Sequence, residues 1–415
     1  MPIPQSWLDA VIVRDSVPLV LKYGDEEGRI KFLTLPDNYA PYFYIRKKQL
    51  SDAKRLLLKY GAEVGDEEGI GADGHRVVKV VCQDERTREV LYEKLESSDI
   101  VTYEADVSLV KRVAIDYDIY QCPVSRVAYL DIEVQAEEEF PVPYRATQRL
   151  LSIAVVGSDG REEFISERDE AEMYRQLTEV LRRYQVVTGW NWERFDKRYL
   201  LMRAKNLRVP FSFFPLQDID SLWIYQRVRI LMKIGGTGRS RLEDVARELL
   251  GIEHKSVKTV EDFRRLRESF ETDKKELREH NLTDARIVAE LNNRYGILKP
   301  FFDLATRYPG LTIRETSSML RVWDTILLWK ARQYRTKDGC RIVLPTMREG
   351  EDILRGGDVF TPLRGVHRSV IGLDFKALYP SIVHTFELSP EMISLYQAWK
   401  ASGLGMEEWY EGLQG

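Results

Sequence analysis

Two carboxylates set two residues apart suggest chemistry first. Asp131 and Glu133 fall within Arg126-Val-Ala-Tyr-Leu-Asp-Ile-Glu-Val134, a run of β-branched and aromatic residues without glycine or proline, which predicts a strand. Side chains alternate along a strand, so Ala128, Leu130, Ile132 and Val134 take one face while Asp131 and Glu133 share the other. Neighbouring carboxylates repel and are costly to bury unless a cation lies between them. Hard oxygen ligands of this kind suit Mg²⁺ or Mn²⁺, so the pair reads as half of a divalent-metal site. The alternative is a strand with one solvated face, and for Asp-x-Glu alone, a weak signal, that alternative would prevail.

More acids follow. Asp196 closes Asn191-Trp-Glu-Arg-Phe195-Asp196, behind the short apolar strand Val186 to Trp190, and α/β folds build sites where a strand ends and a helix starts. His280 and Asp284 lie four apart in the amphipathic helical pattern from Lys274 to Tyr295 and face the same way. By themselves they would be a surface pair. Beside Asp131, Glu133 and Asp196, Asp284 completes a set for two metals, which held roughly 3.5–4 Å apart stabilise both oxygens of a phosphoryl displacement. A later run, Val370-Ile-Gly-Leu-Asp374, predicts a second strand with an aspartate at its end, stopped by Pro380.

The elements that position these residues follow from pattern and punctuation. Residues 1 to about 120 alternate strands (Ala10 to Arg14, Pro18 to Tyr23, Ile30 to Leu35, Arg76 to Cys82, Ile100 to Glu104) with a helix capped by Ser51 and a helix from Asp84 to Glu96. That order predicts a small α/β module beside a meander, with no evident chemistry. Arg149 to Gly157 and Arg161 to Ile165 predict a hairpin, and Ser166 is expected to cap a helix with Met173, Leu177, Val180, Leu181 and Tyr184 on one stripe. Ser221 to Arg241 is basic and holds Gly235-Gly-Thr-Gly238, which reads equally as a mobile loop or as backbone for phosphate contact. Ser240-Arg-Leu-Glu243 predicts a capping box for a helix ending at Gly251, residues 300 to 335 predict helix, and Leu354 to Gly365 a connection.

Composition bounds the rest. The 415 residues exceed one core and predict two or three domains. A formal net charge of −4 argues against a globally basic coat for nucleic acid but leaves room for a local groove. No apolar run reaches membrane-spanning length, and Cys82, Cys122 and Cys340 form no C-x-x-C pair, which predicts a reducing compartment and no structural zinc.

The motifs together resemble the family B DNA polymerases, most closely the archaeal replicative type. Leu130-Asp131-Ile-Glu133 is similar to the first exonuclease motif, and Asn191-x-x-x-Phe195-Asp196 to the second. His280-x-x-x-Asp284 stands where the third has Tyr-x-x-x-Asp, and Asp374-Phe-Lys-Ala-Leu-Tyr379-Pro-Ser-Ile resembles polymerase motif A. Softer similarity covers Pro41-Tyr-Phe-Tyr44, Tyr103-Glu-Ala-Asp106 and Gly356-Gly357. Two positions depart from the pattern: His280 replaces the Tyr whose hydroxyl helps orient the attacking water, and Leu354 replaces a Tyr of the linker motif. A neutral imidazole at 280 is expected to orient that water or to act as base, although its spacing differs by one residue from that of related nucleases with a catalytic His.

The resemblance implies a multidomain α/β and α+β fold. An N-terminal α/β domain would span 1–122, joined by about 305–365. An RNase H-like 3′–5′ exonuclease domain would span 123–304, and the beginning of a polymerase palm 366–415. It further implies two Mg²⁺ (or Mn²⁺) ions held by Asp131, Glu133, Asp196 and Asp284, with Asn191 and Phe195 near the DNA strand. Asp374 would be a palm metal ligand, and Leu378 and Tyr379 would meet the incoming nucleotide, Tyr379 as a gate against a 2′-hydroxyl. DNA, as primer-template and as a single-stranded 3′ end, is the implied substrate, in a cytoplasmic, nucleoid-associated protein without a membrane partner. No fingers helix with Lys-x-x-x-Asn-Ser, Asp-Thr-Asp motif or thumb appears in these residues. The expectation is the front portion of a polymerase whose nucleotide addition needs a second polypeptide to complete palm, fingers and thumb and to admit dNTP, with a sliding clamp as a further candidate partner. The other reading is a non-catalytic DNA-binding or assembly subunit derived from a polymerase.

Overall fold

Five strands, most of them branched and apolar, make the sheet whose central member carries Asp131 and Glu133. In the computed structural model they form one sheet, in the order Glu162–Ile165, Leu150–Gly157, Val127–Val134, Val186–Gly189, Gln217–Asp220. The first three pair antiparallel, and the last two continue parallel to the central Val127–Val134 strand. The structure describes residues 39–346, apart from 122, 137–139, 214–215, 232–233, 235–239, 255–258 and 337–338. It also describes a discontinuous set within 361–405, and strand backbone at 6–7, 20–24 and 30–34.

Both faces of this sheet are covered, which explains why its strands read as near-continuous apolar runs. Ala128, Leu130, Ile132 and Val134 share a core with Met173 and Leu177 of the Glu170–Leu181 helix and with Tyr199 and Leu200 of the Asp196–Leu207 helix. Val127 and Tyr129 point the other way, into a core with Leu282, Ala285 and Ala289 of the Lys275–Tyr295 helix. Among the described residues no helix is long and apolar enough to cross a membrane.

The chain divides into two units, Met1–Tyr39 with Ser108–Trp329, and Ala40–Val107 with Lys330–Gly415. Residues 305–329 group in this division with the sheet that bears Asp131, whereas the resemblance implied that about 305–365 join the N-terminal domain. The second unit holds its own five-stranded sheet, ordered Arg341–Val343, Glu63–Gly71, Arg76–Val81, Tyr42–Arg46, Thr102–Tyr103. The Glu63–Gly71 strand was not anticipated, because Asp66, Glu67, Glu68 and three glycines disguise it. The expected meander survives as the Val20–Gly24 and Ile30–Thr34 pair; Ala10 to Arg14 lies outside the described residues.

Three expected caps are not formed. Asp169 caps the helix assigned to Ser166, accepting from the Ala171 N–H at 3.0 Å, while the Ser166 hydroxyl donates to the Leu151 carbonyl. Ser51 lies inside the Leu50–Lys59 helix rather than ahead of it. Arg241 takes the cap position expected of Ser240, with no side-chain bond, because the Ser240 hydroxyl is engaged by Gln226. The palm-like run also departs from the expected strand. Residues 371–375 form no strand; Leu373 is 92 % exposed and no partner strand meets it among the described residues, so the ladder that a strand needs is absent. Helix begins at Leu378 and runs to Thr385. Gly235 to Arg239 and Leu354 to Gly357 lie outside the described residues.

Candidate active site

Strand alternation decides where the carboxylates go. Asp131 and Glu133 share the face of Val127 and Tyr129, the one covered by the Lys275–Tyr295 helix. His280, Asn281 and Asp284 stand on that helix at spacings that present them to the strand. Oxygens of Asp131, Glu133 and Asp284 come within 4.8 Å of one another. His280 Nε2 lies 3.3 Å from Glu133 Oε1 and 3.8 Å from Asp284 Oδ2. Asn281, fully buried, accepts from the Ser152 hydroxyl at 2.8 Å and donates to Asp131 Oδ2 at 2.6 Å.

Asp196 arrives from a different element. Beyond Thr188 the Val186–Gly189 strand no longer pairs with the central strand, and the Ile132 N–H is taken instead by Asp196 Oδ1 at 3.3 Å. Gly189 makes the close approach possible: a Cβ there would meet the Leu130 carbonyl oxygen at 2.6 Å. The turn that follows is braced. Trp192, fully buried, donates to Asp218 at 3.2 Å; Lys197 pairs with Asp218 and Glu193; and Asp220 accepts from the Glu193 N–H at 3.0 Å. Within that turn Asn191 adopts a left-handed backbone, φ 65°, which asparagine tolerates better than most residues.

The site is short of positive charge. Glu133, His280 and Asp284 side chains are only 12 %, 14 % and 15 % exposed. Burial, reinforced by the charges of Asp284, Asp196 and Glu133, holds the Asp131 carboxyl well above the usual carboxylate range. Burial also pushes Asp196 up to about 8, against opposing backbone hydrogen bonds and with help from Asp220 and Glu133. Glu133 is raised by burial although the hydrogen bond and charge of His280 oppose it. Burial works to lower the His280 pKa, but Glu133 and Asp284 outweigh it and hold the imidazole above its ordinary 6.5. Three acids whose charged forms are this disfavoured, Asp131, Glu133 and Asp196, are what a divalent cation would satisfy.

The carboxylates open on a cavity of about 250 Å³ that Asn191, Phe195, Phe140 and Phe263 also line. Phe140, 64 % exposed, sits 5.8 Å from the Phe195 ring and 6.0 Å from Phe263, so three aromatic rings stand beside the acids. The structure thus brings together Asp131, Glu133, Asn191, Phe195, Asp196, His280 and Asp284. Asp374 belongs to the other unit, and among the described residues no metal-binding cluster includes it. Leu378 and Tyr379 open a helix there, 43 % and 76 % exposed. Sequence reasoning missed Asn281, His254, Phe140 and Phe263. Asn281 was within reach, since it is three residues from Asp284 on one helix, and so was Phe263, which lies in the amphipathic Val260–Glu271 helix; His254 and Phe140 sit in segments without periodic pattern.

Comparison with known proteins bears on the whole chain. Residues 128–295 match the RNase H superfamily, and residues 324–408 match DNA polymerase family B. DNA polymerase 1 of Sulfolobus acidocaldarius is 26 % identical over 363 residues, covering 76 % of this chain and 38 % of that protein. A DNA polymerase of Pyrococcus glycovorans is 23 % identical over 451 residues, covering 93 % and 55 %. The chain therefore spans between about a third and just over half of the length of these relatives. The solved family B DNA polymerase of Pyrobaculum calidifontis shares the fold, with a TM-score of 0.62 at 23 % identity over 82 % of this chain and 51 % of that one. Two family matches in chain order, archaeal DNA polymerases aligned along most of the chain and this common fold make the chain similar to the archaeal family B DNA polymerases, with an RNase H-like region ahead of the family B match.

Proposed function

We propose that the domain around residues 123–304 is a proofreading 3′–5′ exonuclease that removes nucleotides from single-stranded DNA ends by metal-dependent phosphodiester hydrolysis. One observation carries this: three acids from a strand and a facing helix have oxygens within 4.8 Å of one another, at the wall of a cavity lined by aromatic rings. The donor set fits Mg²⁺ or Mn²⁺, with Asp131, Glu133, Asp196 and Asp284 as the residues that would hold two ions. Bound there, such ions would supply an activated water and neutralise charge on the phosphodiester. The protein's own residues do the rest. Asn281 holds Asp131 in one orientation through its bond to Ser152. Phe140, Phe195 and Phe263 offer ring faces on which unpaired bases stack whatever their sequence, each stacked base being worth ~1–3 kcal/mol. Asn191 reaches the same cavity and can donate to the terminal nucleotide, and His280 contributes its nitrogen at the Glu133–Asp284 edge.

The family B match also supports a share in DNA synthesis. Asp374 would hold metal, with Leu378 and Tyr379 against the incoming dNTP; completion needs a further carboxylate and a phosphate-binding cation, supplied by another polypeptide or another stretch of chain. The nuclease is tested with a 5′-labelled single-stranded oligonucleotide, with and without Mg²⁺ or Mn²⁺. A metal-dependent ladder of products shortened from the 3′ end is expected from the natural sequence and lost in Asp131→Ala. A ladder that persists in a folded Asp131→Ala protein would overturn the assignment, and DNA binding without any digestion would favour a non-catalytic subunit.

A further inference from the structure

His254 is a residue that the four-acid set does not need. It follows Gly251, whose left-handed backbone (φ 71°) ends the helical stretch Ala246–Leu250 and turns the chain toward the Lys275–Tyr295 helix. Its side chain is 7 % exposed, and its Nε2 stands 2.5 Å from Asp284 Oδ1. Both atoms are closed to solvent, and neither has a hydrogen-bond partner. The imidazole ring also stacks on His280, centroids 5.2 Å apart and planes at 22°. A buried nitrogen and a buried carboxylate oxygen face each other in contact, without the alignment of a hydrogen bond.

We propose that His254, His280 and Asp284 form a binding site for a divalent transition-metal ion of the zinc class, sharing Asp284 with the Asp131–Glu133 carboxylate pair. Ligand atoms of the three side chains lie within 4.8 Å of one another. Four ligands arranged tetrahedrally at ~2.0–2.1 Å from a zinc ion stand roughly 3.3 Å apart. The two nitrogen-to-oxygen separations here, 2.5 Å from His254 and 3.8 Å from His280, bracket that spacing. Asp284 turns one oxygen to each imidazole, so a single carboxylate spans both nitrogens.

Donor type then selects the ion. Imidazole nitrogen suits zinc and cobalt, whereas Mg²⁺ prefers oxygen donors and retained water. Three protein ligands leave a coordination position open, the pattern of catalytic rather than closed structural zinc sites. Two chemically different subsites would thus meet at Asp284, one of hard oxygens and one rich in nitrogen. The competing account is a charged imidazole paired with Asp284 and no ion, which requires an N–H aimed at the oxygen.

The assignment rests on the metal-dependent reading of the site, and its test does not read activity. Metal-stripped protein is titrated with Co²⁺ and followed by visible absorption. One equivalent with ligand-field bands is expected, displaced by Zn²⁺ and unmoved by excess Mg²⁺. His254→Gln and His280→Gln should each lose the bands, while Asp131→Asn keeps them. His254→Cys keeps a ligand at the position and should add a thiolate-to-cobalt charge-transfer band in the near ultraviolet, a signature that unfolding cannot mimic. Unchanged cobalt spectra in both Gln variants, or absence of the charge-transfer band in folded His254→Cys, would overturn the proposal. Mg²⁺-dependent digestion by the natural sequence without cobalt bands would sink this site alone and leave the exonuclease reading standing.

Discussion

Asn281 governs how firmly Asp131 is held. It is fully buried between the Ser152 hydroxyl and an Asp131 oxygen, so Asn281→Ala frees the carboxylate and strands a buried hydroxyl. Loss of such a supporting hydrogen bond typically costs ~10–100-fold in metal affinity or activity. A drop of that size in single-strand digestion is expected at saturating DNA, with recovery at higher metal concentration; a variant as active as the natural sequence would mean that Asp131 is oriented by the strand alone. The acids also make a prediction for the metal-free protein. Burial lifts Asp196 from 3.8 to about 8, and Asp131, Glu133 and His280 are raised as well. The folded state therefore keeps protons that the unfolded chain releases. Stability from these groups is fully present below the ordinary carboxylate range and is lost as pH rises toward 8. The melting temperature of metal-stripped protein should fall by several degrees from pH 5 to pH 8, and divalent metal should remove the trend. A metal-free protein that gains stability over that range would refute this electrostatic account. At this scale the strand acids were legible because period-2 alternation is strict, whereas His254 was not, since nothing in a loop sequence says which way a side chain turns.

At the scale of elements, the site depends on one strand ending on time. The Val186–Gly189 strand stops pairing after Thr188, and that release lets Asp196 reach the Ile132 N–H. Gly189→Ala would set a methyl group 2.6 Å from the Leu130 carbonyl oxygen, against backbone that has no rotamer to yield. Overpacking of this kind costs ~1–3 kcal/mol. Urea unfolding should show that loss, and digestion should fall with it because Leu130 is the residue before Asp131. A neutral Gly189→Ala variant would show that the two strands can part there without consequence. The sheet itself was readable in advance: apolar runs placed four of its strands and the hairpin within a residue or two of where they fall. Helix starts were less readable. Ser166 and Ser240 carry suitable hydroxyls, but tertiary partners, the Leu151 carbonyl and Gln226, claim them first. The Glu63–Gly71 strand escaped because its acids and glycines fit a surface turn as well as a strand.

At the scale of the molecule, each unit is assembled from separated stretches of chain. The second unit depends on a buried ion pair to recruit its later segment. Arg341, on the Arg341–Val343 strand, meets Glu104 at 3.1 Å with side chains 5 % and 0 % exposed, and donates to the Tyr44 hydroxyl at 3.0 Å. Glu104 in turn accepts from the Leu344 N–H at 3.2 Å, and its own N–H donates to the Leu344 carbonyl. Pairing of Arg341 with Gly69 then lays that short strand beside Glu63–Gly71. None of this was legible in the sequence, because a contact across 237 residues leaves no local period. Removing one partner of a buried pair leaves an uncompensated charge and costs ~3–5 kcal/mol, whereas replacing both by apolar residues of similar volume is often neutral. Arg341→Ala should therefore strip hydrogen-exchange protection from amides of 341–343 and 63–71 while those of 127–134 keep theirs. The paired change Arg341→Met with Glu104→Leu should restore most of the loss. If the single substitution leaves protection at 341–343 unchanged, strand pairing with Gly69, Ile70 and Gly71 holds the segment, and the ion pair only decorates it.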